Sequence, residues 1–179
     1  MMSASARIRD RITRFHRARE GAAAVEFALI AAPFFLLIFA TLEVALFFLG
    51  STIIENGVNE AARSIRTGQL QQSGQTVEDF RGAICERISS VADCSRIQLD
   101  VRTFDSFSSS SMTSPLNADG KIDDTNFTFD PGGGGDVVVV RVFYDWQLMA
   151  PGVVSGMTNM SGNKRLISAT AVFRNEPFE

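Results

Sequence analysis

The longest pattern in the chain is an apolar run that begins at Ala22 and ends near Gly50. Acidic residues interrupt it only at Glu26 and Glu43, and the stretch Phe27–Leu42 between them carries no charge. A bilayer core about 30 Å thick needs about 20 apolar residues in a helix. The apolar region of a removable secretory signal has only about 7–15 residues. The pattern therefore predicts a transmembrane helix that remains as an anchor.

Beyond the apolar run the pattern stays helical but becomes amphipathic. Apolar residues recur at steps of three and four, and polar residues fill the other face. The apolar set is Ile53, Ile54, Val58, Ala61, Ala62 and Ile65. Gly68 is a natural helix stop. The sequence predicts one helix over Ala22–Thr67, about 69 Å long at 1.5 Å per residue, whose outer half packs on a globular head.

The remaining residues predict the elements of that head. A polar linker over 69–75 is followed by Thr76, an N-cap with Asp79 three residues on. Phe80, Ala83, Ile84 and Ile88 form the apolar face of a second helix over Val77–Val91. Runs rich in alternating and β-branched residues predict strands at Ile97–Phe104, Asp136–Trp146 and Lys164–Phe173, with a short strand or edge at Asn126–Phe129. Loops occupy 105–120 and 147–163, and Gly132–Gly135 is a flexible linker.

These elements define an α+β fold. A long N-terminal transmembrane helix continues outside the membrane and carries a head of one further helix and about three antiparallel strands. The predicted domains are a basic leader over 1–21, the long helix over 22–67 with its transmembrane part at 22–50, and an extracytoplasmic domain over 68–179.

Charge is distributed unevenly about the predicted span. Residues 1–21 hold six arginines against Asp10 and Glu20, a balance of +4, so the rest of the chain carries −7. The positive-inside rule then places residues 1–20 in the cytoplasm and residues 51–179 outside. A basic leader on an acidic body indicates membrane topology, and nucleic acid is not an expected partner.

The only two cysteines, Cys85 and Cys94, both fall on the predicted outer side. Thiols outside the inner membrane tend to pair, so we expect a disulfide, with two separate buried thiols as the alternative. A zinc site is not expected. The single histidine, His16, lies in the leader and cannot complete a tetrahedral ligand set with the cysteines.

The start of the apolar run carries the most specific motif. Gly21 separates the arginine-rich leader from the run, and Glu26 is the fifth residue after it. A carboxylate at the edge of a membrane span is costly and suggests a function. This spacing resembles the processing site of type IV prepilins. The run Gly-Ala-Ala-Ala-Val-Glu-Phe-Ala-Leu resembles TadE-type proteins, the small pilin-like proteins of tight-adherence (Flp) pilus systems. The resemblance covers Gly21–Gln69 and returns at Ala171–Phe178.

The resemblance implies a minor pilin or pseudopilin that helps to start or build a pilus for surface attachment. It implies cleavage between Gly21 and Ala22 by a prepilin peptidase, and pairing of Glu26 with the α-amino group of Ala22 on a neighbouring subunit. The alternative for Glu26 is a residue that lies near the membrane surface and stays solvated. The implied partners are that peptidase, other pilin-like subunits and the pilus secretion machinery. The implied location is the bacterial inner membrane, with the N-terminus cytoplasmic and the head periplasmic, or the pilus itself.

Glu43 is open to two interpretations. At about 100° per residue it lies on a different helix face from Glu26. It either contacts a polar group of another subunit or marks the outer boundary of the membrane.

Other chemistry is not expected from the sequence. Asp119 and its neighbours supply some oxygen ligands of a calcium loop but not its acidic ends, so an Asp-Gly turn is favoured. Gly132–Gly135 lacks the lysine of a phosphate-binding loop. Because the single histidine is in the leader, no catalytic triad can form on one side of the membrane. We therefore expect no enzyme activity, metal or cofactor.

Two other classes of protein stay open. One is an uncleaved single-pass scaffold of the secretion machine, which uses Glu43 to contact other membrane helices. The other is an adhesin-like binding module whose head, including Trp146 and the 105–135 loop, touches a surface or ligand.

Overall fold

The computed structural model describes residues 19–107, 113–150, 152 and 155–178. Most of the predicted leader, residues 1–18, and residues 108–112 of the predicted 105–120 loop lie outside the described residues. The chain divides into two compact units, Met1–Thr41 and Leu42–Glu179. Helix α1, Arg19–Arg66, contributes to both.

In the first unit α1 is an apolar helix with exposed side chains. An 18-residue window of α1 has a mean hydropathy of 2.3, and only 6% of that window is buried. Large apolar side chains are exposed all round it: Val25, Phe27, Leu29, Ile30, Phe34, Phe35, Leu36, Leu37 and Phe39. The helix is long and apolar enough to cross a membrane, which suggests membrane anchoring.

In the second unit two helices follow α1. Gly68 ends α1 in the left-handed conformation, with φ 75°, as its position predicts. The expected polar linker over 69–75 is wrong, because Gln69–Ser73 forms a short helix, α2, that buries Leu70. Helix α3, Val77–Ile88, begins with the expected cap, in which Thr76 and Asp79 bond each other's backbone amides.

Helix α3 differs from its predicted form at its end and on one position of its face. It ends three residues before the predicted Val91, where the amide of Val91 makes a tighter i→i−3 bond to the carbonyl of Ile88. Ala83 is exposed, and the buried face consists of Phe80, Ile84 and Ile88.

The predicted strands form one antiparallel sheet in the order β1-β2-β3. The strands are β1, Ile97–Phe104; β2, Val137–Gln147; and β3, Lys164–Arg174. A 3-10 turn, Cys94–Arg96, precedes β1, and another, Ser155–Met157, lies between β2 and β3. The α+β prediction with three antiparallel strands is confirmed.

One face of this sheet packs on α3 and on the outer part of α1 to form the core. The amphipathic pattern correctly identified the helical half of it: Ile54, Val58, Ala61, Ala62 and Ile65 are buried. The two helices approach closely at Gly57, where an added Cβ would lie 2.8 Å from Cγ2 of Ile88.

The segment 113–130 pairs with the outer edge of β1 and also lies over the opposite face of β1 and β2. Val101 donates its amide to Thr128 at 2.8 Å and accepts that of Asp130 at 2.9 Å, which confirms an edge near the predicted Asn126–Phe129. The ring of Phe127 lies 5.3 Å from that of Phe143. Much of the long connection between β1 and β2 therefore packs against the sheet.

The glycine segment 132–135 is held in place by Asn175. The side-chain amide of Asn175 donates to the carbonyls of Pro131 and Gly133, both at 2.9 Å. The carbonyl of Asn175 accepts the amide of Gly135 at 3.2 Å. This stretch thus serves as a docking point for the residue that follows β3, a role that its composition did not indicate.

Candidate assembly and membrane-facing site

The predicted processing junction lies near the start of α1. Gly21 and Ala22 are exposed, and an added Cβ at Gly21 would meet nothing within 4 Å. The helix is described from Arg19, so the bond between these residues lies in helical backbone. Glycine is a poor helix former, which lowers the cost of opening the helix there to a peptidase.

Glu26 stands on the exposed apolar part of α1. Its side chain is exposed. Within the part of the chain that the structure describes, no hydrogen bond or ion pair engages its carboxylate. An unpartnered carboxylate in an apolar stretch gains most from a cationic partner.

Glu43 has a partner within its own chain. Its side chain is 2% exposed and accepts the amide of Met149 at 3.0 and 3.1 Å and the amide of Ala150 at 2.9 Å. Two backbone N–H donors take the place of water around the carboxylate. Neither sequence interpretation of Glu43 included this contact, because its donors lie 106 and 107 residues further along the chain.

Aromatic and cationic side chains pack on one side of α1 just beyond Glu43. The ring of Trp146 lies against Gly50, where an added Cβ would be 2.5 Å from Cζ3 of the ring, and edge-on to Phe47 at 6.4 Å. The guanidinium of Arg165 lies 5.1 Å from the centre of the Phe47 ring. Trp146 is therefore half-buried on the helix and does not project as a free binding side chain.

An apolar groove of about 360 Å³ opens beside these rings. Its walls include Leu46 and Leu49 of α1, Tyr144 and Trp146 of β2, and Met149 of the following loop.

Cys85 and Cys94 form the expected disulfide, with their Cα atoms 5.7 Å apart. The bond links the last turn of α3 to the 3-10 turn that precedes β1, and both residues pack against the core.

A buried ion pair on the outer face of the sheet was not predicted. Asp100 and Arg141 are directly opposite each other on β1 and β2, and Nη2 of Arg141 donates to Asp100 at 2.5 Å. Asp100 also accepts Nε of Arg102 at 2.9 Å and the amide of Thr128 at 3.1 Å. Nη1 of Arg141 reaches the carbonyl of Thr113 at 3.1 Å. The pair therefore ties the covering segment to the sheet.

The electrostatics of Asp100 follow from two opposed effects. Burial works to raise the pKa of its carboxyl, but hydrogen bonds from Arg141, Arg102 and Thr128 outweigh burial and lower that pKa. Asp145 has the same balance, in which burial is outweighed by Arg96 and Lys164. Alternation alone would place these aspartates on a solvated face, so only the cover over the sheet reveals the buried role of Asp100.

No metal site is evident in the described ranges, where no three His, Cys, Asp or Glu side chains are placed to share an ion. The Asp-Gly turn is confirmed. Oδ1 of Asn117 accepts the amides of Asp119 and Lys121 at 3.0 Å, and Gly120 has φ 68°.

These features define an α+β protein with a long apolar N-terminal helix, a disulfide and a pilin-like head. The family model of TadE-like protein matches residues 21–63. This segment runs from the predicted processing junction to the part of α1 that packs in the head, and it confirms the resemblance to TadE-like proteins. No curated protein and no solved structure matches the chain.

Proposed function

We propose that this protein is a minor pilin or pseudopilin that takes part in initiating or building a tight-adherence (Flp) pilus for surface attachment. The observation that carries the proposal is the TadE-like match, which begins at Gly21, where the basic leader meets an exposed apolar helix. A role in pilus assembly is what this family suggests.

The proposed location follows from charge and hydropathy. The apolar part of α1 spans the bacterial inner membrane, the leader stays in the cytoplasm because of its six arginines, and the head is periplasmic. The disulfide between Cys85 and Cys94 supports an oxidising compartment for the head. The proposed partners are a prepilin peptidase, other pilin-like subunits and the secretion machinery.

Glu26 is the proposed assembly contact. Cleavage after Gly21 would give Ala22 an α-amino group that is charged near neutral pH. The exposed, unpartnered carboxylate of Glu26 would then pair with that amine on a neighbouring subunit, because the surrounding lipid offers neither charge another partner.

The alternatives receive less support from the geometry. A scaffold that contacts other helices through Glu43 would have to break the bonds of Glu43 to Met149 and Ala150. An adhesin-like head would use the 105–135 loop, yet residues 113–130 of that loop pack against the sheet. We also propose a structural rather than an enzymatic role, since the single histidine lies in the leader.

The first experiment is an intact-mass measurement of the protein from cells with and without the cognate prepilin peptidase. We expect the mature chain to begin at Ala22 only when the peptidase is present. A mature chain that still carries the leader in peptidase-positive cells would contradict processing and favour the uncleaved scaffold.

The second experiment tests Glu26 by piliation. We expect Glu26→Gln and Glu26→Ala to be inserted and cleaved but to fail to support pili, because both remove the anion. Glu55→Gln, on an exposed polar position of the same helix, is the matched control and should give normal pili. Normal pili from both Glu26 variants would refute the pairing.

A further inference from the structure

The connection that leaves β2 is uncharged and partly exposed. No charged residue occurs between Asp145 and Lys164. Met149, near the start of this connection, has 70% of its surface exposed, although it is a large apolar residue. Exposed apolar surface that joins a larger apolar surface marks an interaction site.

Glu43 fixes the position of Met149 along the axis of α1. Its carboxylate accepts the amides of both Met149 and Ala150, so this part of the connection is held level with Glu43. The buried carboxylate therefore acts as a clamp between helix and head.

The apolar surface of α1 continues outward past this clamp. Leu46, Phe48 and Leu49 are all exposed, and the first polar residue beyond Glu43 is Ser51. Ser51 is eight positions beyond Glu43, which is about 12 Å along a helix. Met149 is thus held about 12 Å to the apolar side of the point where α1 becomes polar.

The exposure around α1 indicates what covers this surface. Between Leu42 and Gly50 the helix buries only Glu43, Phe47 and Gly50, which share one side at 100° per residue. Most of the remaining circumference is exposed and apolar. A single partner helix would cover one stripe, whereas lipid surrounds a helix on every open side.

Residues suited to a membrane interface lie beside the outer end of this surface, on the side of α1 that packs on the head. Trp146 rests on Gly50, and Arg165 lies over Phe47 and donates to the carbonyl of Met157 at 2.6 Å. Tryptophan, with its apolar body and polar N–H, is enriched at the headgroup level, and arginine can extend its charge towards it.

We propose that the head is seated in the outer leaflet by an apolar collar that inserts among lipids. The collar consists of Leu42, Leu46, Phe48, Leu49 and Met149. This inference rests on the proposed function only in that α1 must span the membrane. The segment Ala22–Gly50 has a helical length of about 43 Å, which matches the 40–45 Å of a bilayer with its headgroups. Glu43 then lies at lipid depth, and its two amide donors remove the cost of an unpaired carboxylate there.

The test uses the full chain in phospholipid vesicles, with one cysteine added and labelled with an environment-sensitive fluorophore. The native cysteines are paired and do not react. Met149→Cys probes the collar. Ser168→Cys, exposed on β3 away from it, is the matched control, and Leu29→Cys in the exposed apolar part of α1 is the reference for lipid. Emission wavelength and quenching by spin-labelled lipids are measured.

We expect the Met149→Cys label to emit at shorter wavelength and to be quenched by spin-labelled lipid, as at Leu29→Cys, and the Ser168→Cys label to behave as in water. A water-like signal at Met149→Cys with a lipid-like signal at Leu29→Cys would overturn the collar and leave the anchor intact. Water-like signals at both positions would overturn the anchor and the collar together.

Dilution of the protein in lipid separates lipid from a partner helix. A lipid-like signal at Met149→Cys that persists on dilution supports the collar, and one that disappears on dilution overturns it in favour of a protein partner. If Met149→Cys does not fold, the single native tryptophan, Trp146, decides the question. Its quenching by lipids brominated near the headgroup supports the collar, and its absence overturns it.

Discussion

Removal of the charge at Asp100 should destabilise the head by about 3–5 kcal/mol, the usual cost of breaking a buried ion pair at one partner. Asp100 is 0% and Arg141 7% exposed, and two guanidinium nitrogens of Arg141 donate to the carboxylate, at 2.5 and 3.2 Å. The change Asp100→Asn keeps the shape of the side chain but leaves Arg141 buried without a counter-charge. Urea unfolding of the full chain in detergent micelles, followed by the fluorescence of Trp146, measures the loss.

Two variants make this measurement decisive. Asp124→Asn is the same change at an exposed aspartate and should stay within about 0.5 kcal/mol of wild type. The double variant Asp100→Leu/Arg141→Met removes both charges and should lose less stability than Asp100→Asn alone. Equal unfolding midpoints for Asp100→Asn and Asp124→Asn would refute the reasoning, and so would a double variant that is less stable than Asp100→Asn.

The ion pair of Asp100 and Arg141 also predicts that the stability of the head depends on pH. The pKa of Asp100 is lowered from its ordinary value of 3.8, because its hydrogen bonds outweigh its burial. A lowered folded-state pKa adds stability above the unfolded pKa, and that stability is lost as the pH falls through the folded value. Wild type should therefore lose stability below about pH 4, and Asp100→Asn should lose less over the same range. Part of the loss should remain, since the pKa of Asp145 is lowered as well.

Three further predictions concern the junction, the disulfide and the packing of the helices. Gly21→Leu should keep the leader attached in peptidase-positive cells, as read by intact mass, and complete removal of the leader would contradict the proposed junction. Unreduced, denatured protein should bind no thiol reagent at Cys85 or Cys94, and full labelling before reduction would exclude the bond. Reduction should lower the free energy of unfolding, measured in urea, by about 2–3 kcal/mol. Gly57→Ala should cost about 1–3 kcal/mol by forcing α1 and α3 apart, whereas Gly82→Ala, an open site on α3, should gain about 0.5–1 kcal/mol. Equal effects of the two glycine changes in the same assay would mean that the helices do not meet at Gly57.

Local patterns in the sequence were sufficient for most of the elements and for the resemblance of the Gly21–Glu26 segment to TadE-like proteins. The three- and four-residue spacing on α1 identified its buried face. Alternation identified β1 and β3, and a run of β-branched and aromatic residues identified β2, all to within a residue at each end. The cap formed by Thr76 and Asp79 could be read directly, because its two partners are three residues apart. The short helix α2 was missed, since its only buried side chain is Leu70 in an otherwise polar stretch.

The pairing of Cys85 with Cys94 was also predicted from the sequence. The prediction used the predicted location of both residues outside the membrane, where thiols tend to pair, and not their geometry. With only two cysteines on the outer side, the choice was between one bond and none.

The sequence by itself determined the long helix, its apolar and amphipathic halves, the strands and the Gly21–Glu26 motif, because each depends on residues that are close along the chain. Only the tertiary structure decided the partners of Glu43 and Asp100. A glutamate in an apolar run has the same sequence pattern whether it faces lipid, another subunit or its own head, and the donors at Met149 and Ala150 are more than 100 residues away. An aspartate at an outward position of a strand is exposed unless a distant segment covers it, and strand register and loop packing bring that cover to Asp100.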